Sequence, residues 1–154
     1  MAEYSALAPQ TVNPGASIVF TSAPVPCTKG YISHRDGSSI FLMSGMGNVR
    51  YNGCRCRRPS AVYLADFGAI VSIPTGGTVA PISVSMSLDG NELPDSEMVV
   101  TPAAAGDEFL ISRAINVAVW YGCCQTFSIT NTGDQPIQVR AASVNFGSPT
   151  LAVV

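Results

Sequence analysis

The chain has 154 residues, 47% of them hydrophobic and only 12% charged, with a formal net charge of −2. This length suits one domain with a full apolar core, while the weak acidic balance excludes a general electrostatic hold on nucleic acid or on an anionic membrane. No apolar run reaches the roughly 20 residues of a membrane-spanning helix, and residues 1–4 lack the basic and apolar regions of a secretory signal, so folding in the cytoplasm is expected.

In chain order, residues 1–9 read as an N-terminal lead or anchor, residues 10–147 as the folded domain and residues 148–154 as an apolar C-terminal tail, disordered or docked on a neighbouring subunit. Asn13-Pro14-Gly15 marks a turn, and residues 16–21 predict a short strand that Pro24 and Pro26 break. Tyr31-Ile32 and residues 40–43 predict a hairpin across Asp36-Gly37-Ser38-Ser39, followed by a glycine-rich turn at 44–48. Residues 61–73 are the longest strand candidate of the first half, closed by Pro74-Thr75-Gly76-Gly77.

The clearest pattern is Ile82-Ser83-Val84-Ser85-Met86-Ser87-Leu88, followed by Asp89-Gly90-Asn91 and a second apolar stretch at 98–100. Successive strand side chains point to opposite faces, so the four apolar residues share one side and the serines take the other, solvent-facing one. Asp-Gly tolerates the positive φ angles of a tight hairpin turn. Residues 109–120, 126–130 and 137–146 predict further strands. No stretch has a helical period; Pro102-Ala103-Ala104-Ala105 could form one turn, ended by Gly106. Eight or nine short strands with regular turn signals predict an all-β, two-sheet antiparallel jelly-roll sandwich. A surface so poor in charge points to self-association.

Candidate chemistry is sparse. The single histidine, His34, precedes the Arg35-Asp36-Gly37 turn, and a serine or cysteine nucleophile would need it as base, with Cys27 the nearest thiol. Cys54-x-Cys56 would place two sulfurs on one side of a strand, with Cys27 or His34 to complete a metal site, but the spacing is not that of a zinc knuckle. Cys123 and Cys124 are adjacent and would face opposite ways. In a reducing cytoplasm the five cysteines are expected as free thiols, though the sequence leaves their oxidation state open. Arg50, Arg55, Arg57 and Arg58, with Tyr51 among them, suit a solvated surface or a subunit salt bridge better than a phosphate clamp. Asp107-Glu108 and the turn from Asp89 to Asp95 are too few in ligands for a calcium site. Trp120, Tyr121, Tyr31 and Tyr51 could offer stacking faces to sugars, although large rings are more often core. The chain is therefore expected to be non-enzymatic, with no catalytic, cofactor-binding or metal-binding residues and no cofactor.

Tyr63-Leu64-Ala65-Asp66-Phe67-Gly68-Ala69-Ile70-Val71-Ser72-Ile73-Pro74 and Thr78-Val79-Ala80-Pro81-Ile82-Ser83-Val84 resemble a group of small phage-encoded jelly-roll proteins. These are similar to the C-terminal domains of bacterial collagen-like surface proteins and to the tumour-necrosis-factor and complement C1q fold. The resemblance continues through Leu88-Asp89-Gly90, Met98-Val99-Val100-Thr101-Pro102-Ala103-Ala104, Gly122-Cys123-Cys124 and Ile129-Thr130-Asn131-Thr132, and covers most of residues 9–147. Trp120-Tyr121 departs from it where a proline-containing turn is expected. The resemblance implies a homotrimer with one sheet of each protomer packed around the three-fold axis. It further implies a virion part assembled in the host bacterial cytoplasm: a head decoration, a head fibre or a tail-fibre component touching other virion structural proteins. A carbohydrate-binding or adhesin module of a bacterial or phage surface, with host-surface or glycan contact, is the alternative.

Overall fold

The computed structural model describes residues 1–45, 60–120, 122 and 124–152. Thirteen strands are present among the described residues. They are β1 (Ala2–Ala6), β2 (Gln10–Val12), β3 (Ser22–Val25), β4 (Ile32–His34), β5 (Phe41–Met43), β6 (Ser60–Ser72) and β7 (Ile82–Leu88). The remainder are β8 (Asn91–Glu92), β9 (Met98–Val100), β10 (Phe109–Val119), β11 (Gln125–Asn131), β12 (Ile137–Phe146) and β13 (Thr150–Ala152). The only helical element among the described residues is a 3-10 turn at Pro94–Ser96; residues 102–105, read as a possible helical turn, are not helical.

Two antiparallel sheets pack face to face. The first runs β10-β6-β12-β1-β3, with β13 extending the β12 edge of β6 and β2 extending β1 along β12. The second runs β4-β5-β11-β7-β8, with β9 also paired to β7. The alternating residues of β6, β10, β11 and β12 place Tyr63, Phe67, Val117, Phe127, Val144 and Phe146 between the sheets. Each such side chain contributes about 1.5–3 kcal/mol by leaving water, so an all-β sandwich follows from the period-two pattern of these long strands.

Residues 2–6, read from sequence as part of a lead, belong to this sandwich. Ala2, Tyr4 and Ala6 alternate with Glu3 and Ser5, are buried, and pair with Phe146, Val144 and Ala142 of β12. The segment at 16–21 is not a strand; it makes only isolated bridges, from Ser17 to Thr130 and from Phe20 to Ser38. Its predicted breaker, Pro24, instead lies within β3. That strand closes one edge of its sheet, where a missing N–H costs no ladder bond. In the tail, β13 lies along β6 beside Val62 and Ala61.

Near the middle of β12 the ladder to β6 shifts register between Arg140 and Ser143. Ala141 has φ +50° there, and its N–H donates to Leu7 O at 3.2 Å. This bulge lies where β1 gives way to β2 on the opposite edge of β12, so one irregularity accommodates both crossings.

The hairpin after β7 turns at Asp89 and Gly90, with φ of +51° and +78°, the pair of positive angles that a tight I′ turn requires. The returning strand is split into β8 and β9 by the 3-10 turn, and this alters the serine face. Ser85 and Ser87 are buried rather than solvent-facing, with β8 paired alongside at Ser87 and Leu88. Ser85 donates to Glu92 Oε1 at 2.6 Å. Ser96, fully buried, accepts the Met86 N–H at 2.8 Å and so replaces the ladder partner that the interrupted strand withholds.

Candidate functional site

The β4–β5 hairpin carries His34 at the end of β4, but its ring does not reach the nearest thiol's cavity. Phe41 stacks on it at 4.2 Å and 20°, and Tyr4 meets it edge-on at 5.1 Å. Nδ1 lies 3.1 Å from Ile40 O and Nε2 3.2 Å from Phe20 O. Both nitrogens thus face backbone carbonyls rather than a nucleophile.

Cys27 lines a separate cavity of about 180 Å³ together with Lys29, Tyr31, Tyr63, Phe146 and Ser148. It is a free cysteine. Burial alone would push its thiol up. The neighbouring backbone amides of Ile32, Tyr31, Lys29 and Gly30 favour the thiolate, however, and the balance holds it below the ordinary thiol value. Tyr63, one of the inward residues of β6, is pushed up to about 12 by burial and then by its neighbours Cys27 and Tyr31. It remains a neutral donor, bonded to Ser44 O and more weakly to Tyr31 O at 3.4 Å. Peptide-resolved alkylation with iodoacetamide across pH 6–10 is expected to give Cys27 a midpoint below that of a free model thiol. A midpoint at or above the model value would refute the effect of these amides on the sulfur.

The outer face of the β10–β6 pair exposes several large apolar side chains. Leu110 is 75% exposed, Trp120 57% and Leu64 49%. Antiparallel register sets Leu110 beside Ile70, Asn116 beside Leu64 and Ala118 beside Val62. All these positions occupy the solvent phase of their strands, and their apolar or small character is a signal the sequence already carried. Ala114 pairs with Asp66 and Ser112 with Gly68, so the centre of the face is poor in apolar bulk and carries one exposed carboxylate. On the edge strand β10, Arg113 falls in the core-facing phase between Ile111 and Ile115 and is exposed. A charge there discourages a further strand from adding along this edge.

Trp120 is held at one end of the face by a chain of hydrogen bonds. Its backbone N–H donates to Gln125 Oε1 at 2.9 Å, Gln125 Nε2 donates to Asp89 Oδ2 at 2.8 Å, and Thr126 N–H donates to Asp89 Oδ1 at 2.8 Å. The Gln125 side chain, then the Thr126 amide, hold the Asp89 carboxyl below the usual carboxylate range. At the other end Arg140 forms an ion pair with Glu108 beside a polar cleft of about 240 Å³ that also includes Ser72 and Gln138. The Arg140 hydrogen bond holds Glu108 below its usual range. Asp89 and Glu108, two of the acidic groups considered for calcium, are thus engaged with protein donors.

Among the described residues no group of three or more His, Cys, Asp and Glu side chains is arranged to hold a metal ion. Cys124 is disulfide-bonded, which corrects the expectation of five free thiols. A reducing compartment was the premise of that expectation, and the bond formed here is set by the proximity of two sulfurs in the fold. Arg50, Tyr51, Cys54, Cys56, Arg57, Arg58, Arg55, Tyr121 and Cys123 lie outside the described residues, so the basic cluster and the Cys-x-Cys pair have no structural account. No family model matches the chain, and none of the curated proteins compared with it matches.

Proposed function

We propose that this protein is a non-enzymatic structural and interaction module, a jelly-roll domain that assembles as a homotrimer and serves as a component of a bacteriophage virion. The outer face of β6 and β10 is the observation that carries the self-association: Leu64, Leu110 and Trp120 expose large apolar side chains around a low centre of Ala114, Gly68 and Ala118 in which Asp66 is the one charged group. Closed cyclic assemblies bury such a face repeatedly without leaving an open end.

Strand order supports the jelly roll. Counting the principal strands β1, β5, β6, β7, β9, β10, β11 and β12 in chain order, the first, eighth, third and sixth adjoin in one sheet, and the second, seventh, fourth and fifth in the other. That interleaving is what two wound Greek keys produce. The virion role, as a head decoration, head-fibre or tail-fibre part, rests on the resemblance of the β segments at 63–84 and beyond to small phage-encoded jelly-roll proteins.

Native mass measurement of the purified protein is expected to give three times the 16.0 kDa chain mass, and Leu110→Asp is expected to shift the population to monomer at the same concentration. A wild-type monomer at tens of micromolar would sink the proposal. A carbohydrate-binding or adhesin role is favoured by one observation, the exposed Trp120 ring on a backbone tied to Gln125. A glycan array that retains sugars on the wild type and loses them with Trp120→Ala would favour that reading.

A further inference from the structure

The charges on and beside the β6–β10 face restrict how a second copy can cover it. Asp66 stands exposed at its centre, between Ala114 of β10 and Asn145 of β12, and the same row continues from Asn145 to Glu3 of β1. Arg140 neighbours Ile70 towards one end, but Glu108 already holds it, in the only ion pair among the described residues. The face therefore offers carboxylates with no free cation of its own to match them. The side-chain cations among the described residues are Lys29, Arg35, Arg113 and Arg140. Lys29 and Arg35 lie before β4 and in the β4–β5 turn, on the other sheet. Arg113 remains, exposed on β10, the outermost strand of its sheet. Successive strand residues point to opposite faces, so Arg113, in register with the inward Phe67, leaves the sheet on the side away from Asp66. The two do not pair within one chain.

We propose that the β6–β10 face is covered by the β10 edge of the next copy of this chain, whose Arg113 pairs with Asp66. This rests on the self-association proposed above and adds which surface of the partner is used. Two such faces packed about a two-fold axis through their centre would set each Asp66 against its own copy, and like charges juxtaposed in an interface oppose association. A heterologous contact, the face of one copy on the edge of the next, avoids that clash and gives every Asp66 a guanidinium. Arginine suits the role, because its planar fork can bond a carboxylate at two points and sheds water more readily than an ammonium group. The edge is also open: β10 has β6 on one side and no strand of its sheet on the other. The charge that discourages strand addition there is the one that the neighbour's Asp66 lacks. Leu110, on β10, and Trp120, just past its end, border both the face and the edge, so apolar contact flanks the ion pair on either side.

Sedimentation velocity over a concentration series, at one pH and ionic strength, compares the wild type with Asp66→Arg, Arg113→Asp and the variant carrying both. The wild type is expected to be trimeric. Each single change brings like charges together and is expected to raise the concentration at which the trimer half-dissociates by about tenfold or more. The double swap restores opposite charges and is expected to return it to within about threefold of the wild type. Single changes without effect, or a double swap no better than the weaker single variant, would overturn the pair and leave the trimer standing. A wild-type monomer or dimer would remove the trimer itself, and the pair with it. Far-UV circular dichroism establishes that each variant is folded. Should a swap not fold, Asp66→Asn and Arg113→Gln take its place. The two together are then expected to cost no more than either alone, since each already leaves its partner unpaired, and additive losses would overturn the pair.

Discussion

Replacing Phe41 with alanine is expected to remove about 3–5 kcal/mol of folding stability, a large share of the roughly 5–15 kcal/mol that a domain of this kind has. Phe41 is fully buried and sits where the two sheets meet. From β5 it reaches Tyr4 and Phe146 of the opposite sheet, with ring centroids at 4.9 and 5.3 Å, Phe127 of its own sheet at 6.3 Å, and Phe20 at 5.3 Å. Edge-to-face pairs of this kind add to the burial of the rings themselves. Truncation opens a void that rings fixed on four different segments cannot close together, since each is held by its own backbone. His34 loses its stacking partner as well. Chemical denaturation at fixed protein concentration measures the loss, with Phe41→Leu as the volume-sparing control, expected to cost well under half as much. An alanine variant within about 1 kcal/mol of the wild type would show that the cluster does not join the sheets as described.

Replacing Asn131 with aspartate is expected to cost about 3 kcal/mol or more at neutral pH although it changes one atom. Asn131 ends β11 and is fully buried. Its amide nitrogen donates to Val12 O at 3.0 Å and Gln135 O at 2.8 Å, while its Oδ1 accepts from Gly133 N–H at 3.0 Å. Aspartate has no proton for either carbonyl at pH 7, so it would bring a buried negative charge against two acceptor oxygens. The single side chain links β2, the end of β11 and the turn before β12, and these three lose their common tie together. Denaturation midpoints of Asn131→Asp and Asn131→Ala compare the cost of the charge with that of the lost hydrogen bonds. The aspartate is expected to be the worse of the two, and equal or better stability for it would contradict the hydrogen-bond assignment.

Much of the architecture was legible from the alternation in the long strands. The residues at 61–73, 82–88, 109–120 and 137–146 all predicted strands, and β6, β7, β10 and β12 occupy those stretches. Asp89-Gly90 predicted the turn by its tolerance of positive φ, and both residues adopt it. Among the candidate site residues, the chain gave His34 and Cys27 as residues worth watching without indicating that one lies among rings and carbonyls and the other beside backbone amides that favour its thiolate. Those surroundings are built by residues as far away as Tyr4 and Phe146, whose proximity no local pattern encodes.

Period-two hydrophobicity determined by itself that this chain forms sheets with one greasy side, because the geometry that alternates side chains is a property of the extended backbone and of nearest neighbours alone. Whether the other side meets water was decided only in three dimensions. Ser85 and Ser87 of β7 are buried, Ser85 against Glu92, whereas Leu110 and Leu64, in solvent phase on β10 and β6, stay uncovered. In the same way Ala2, Tyr4 and Ala6 became core only because β12, some 140 residues away, offered them an open edge. Covering a face or filling an edge depends on which distant segment arrives there, and that is settled by the packing of the whole chain.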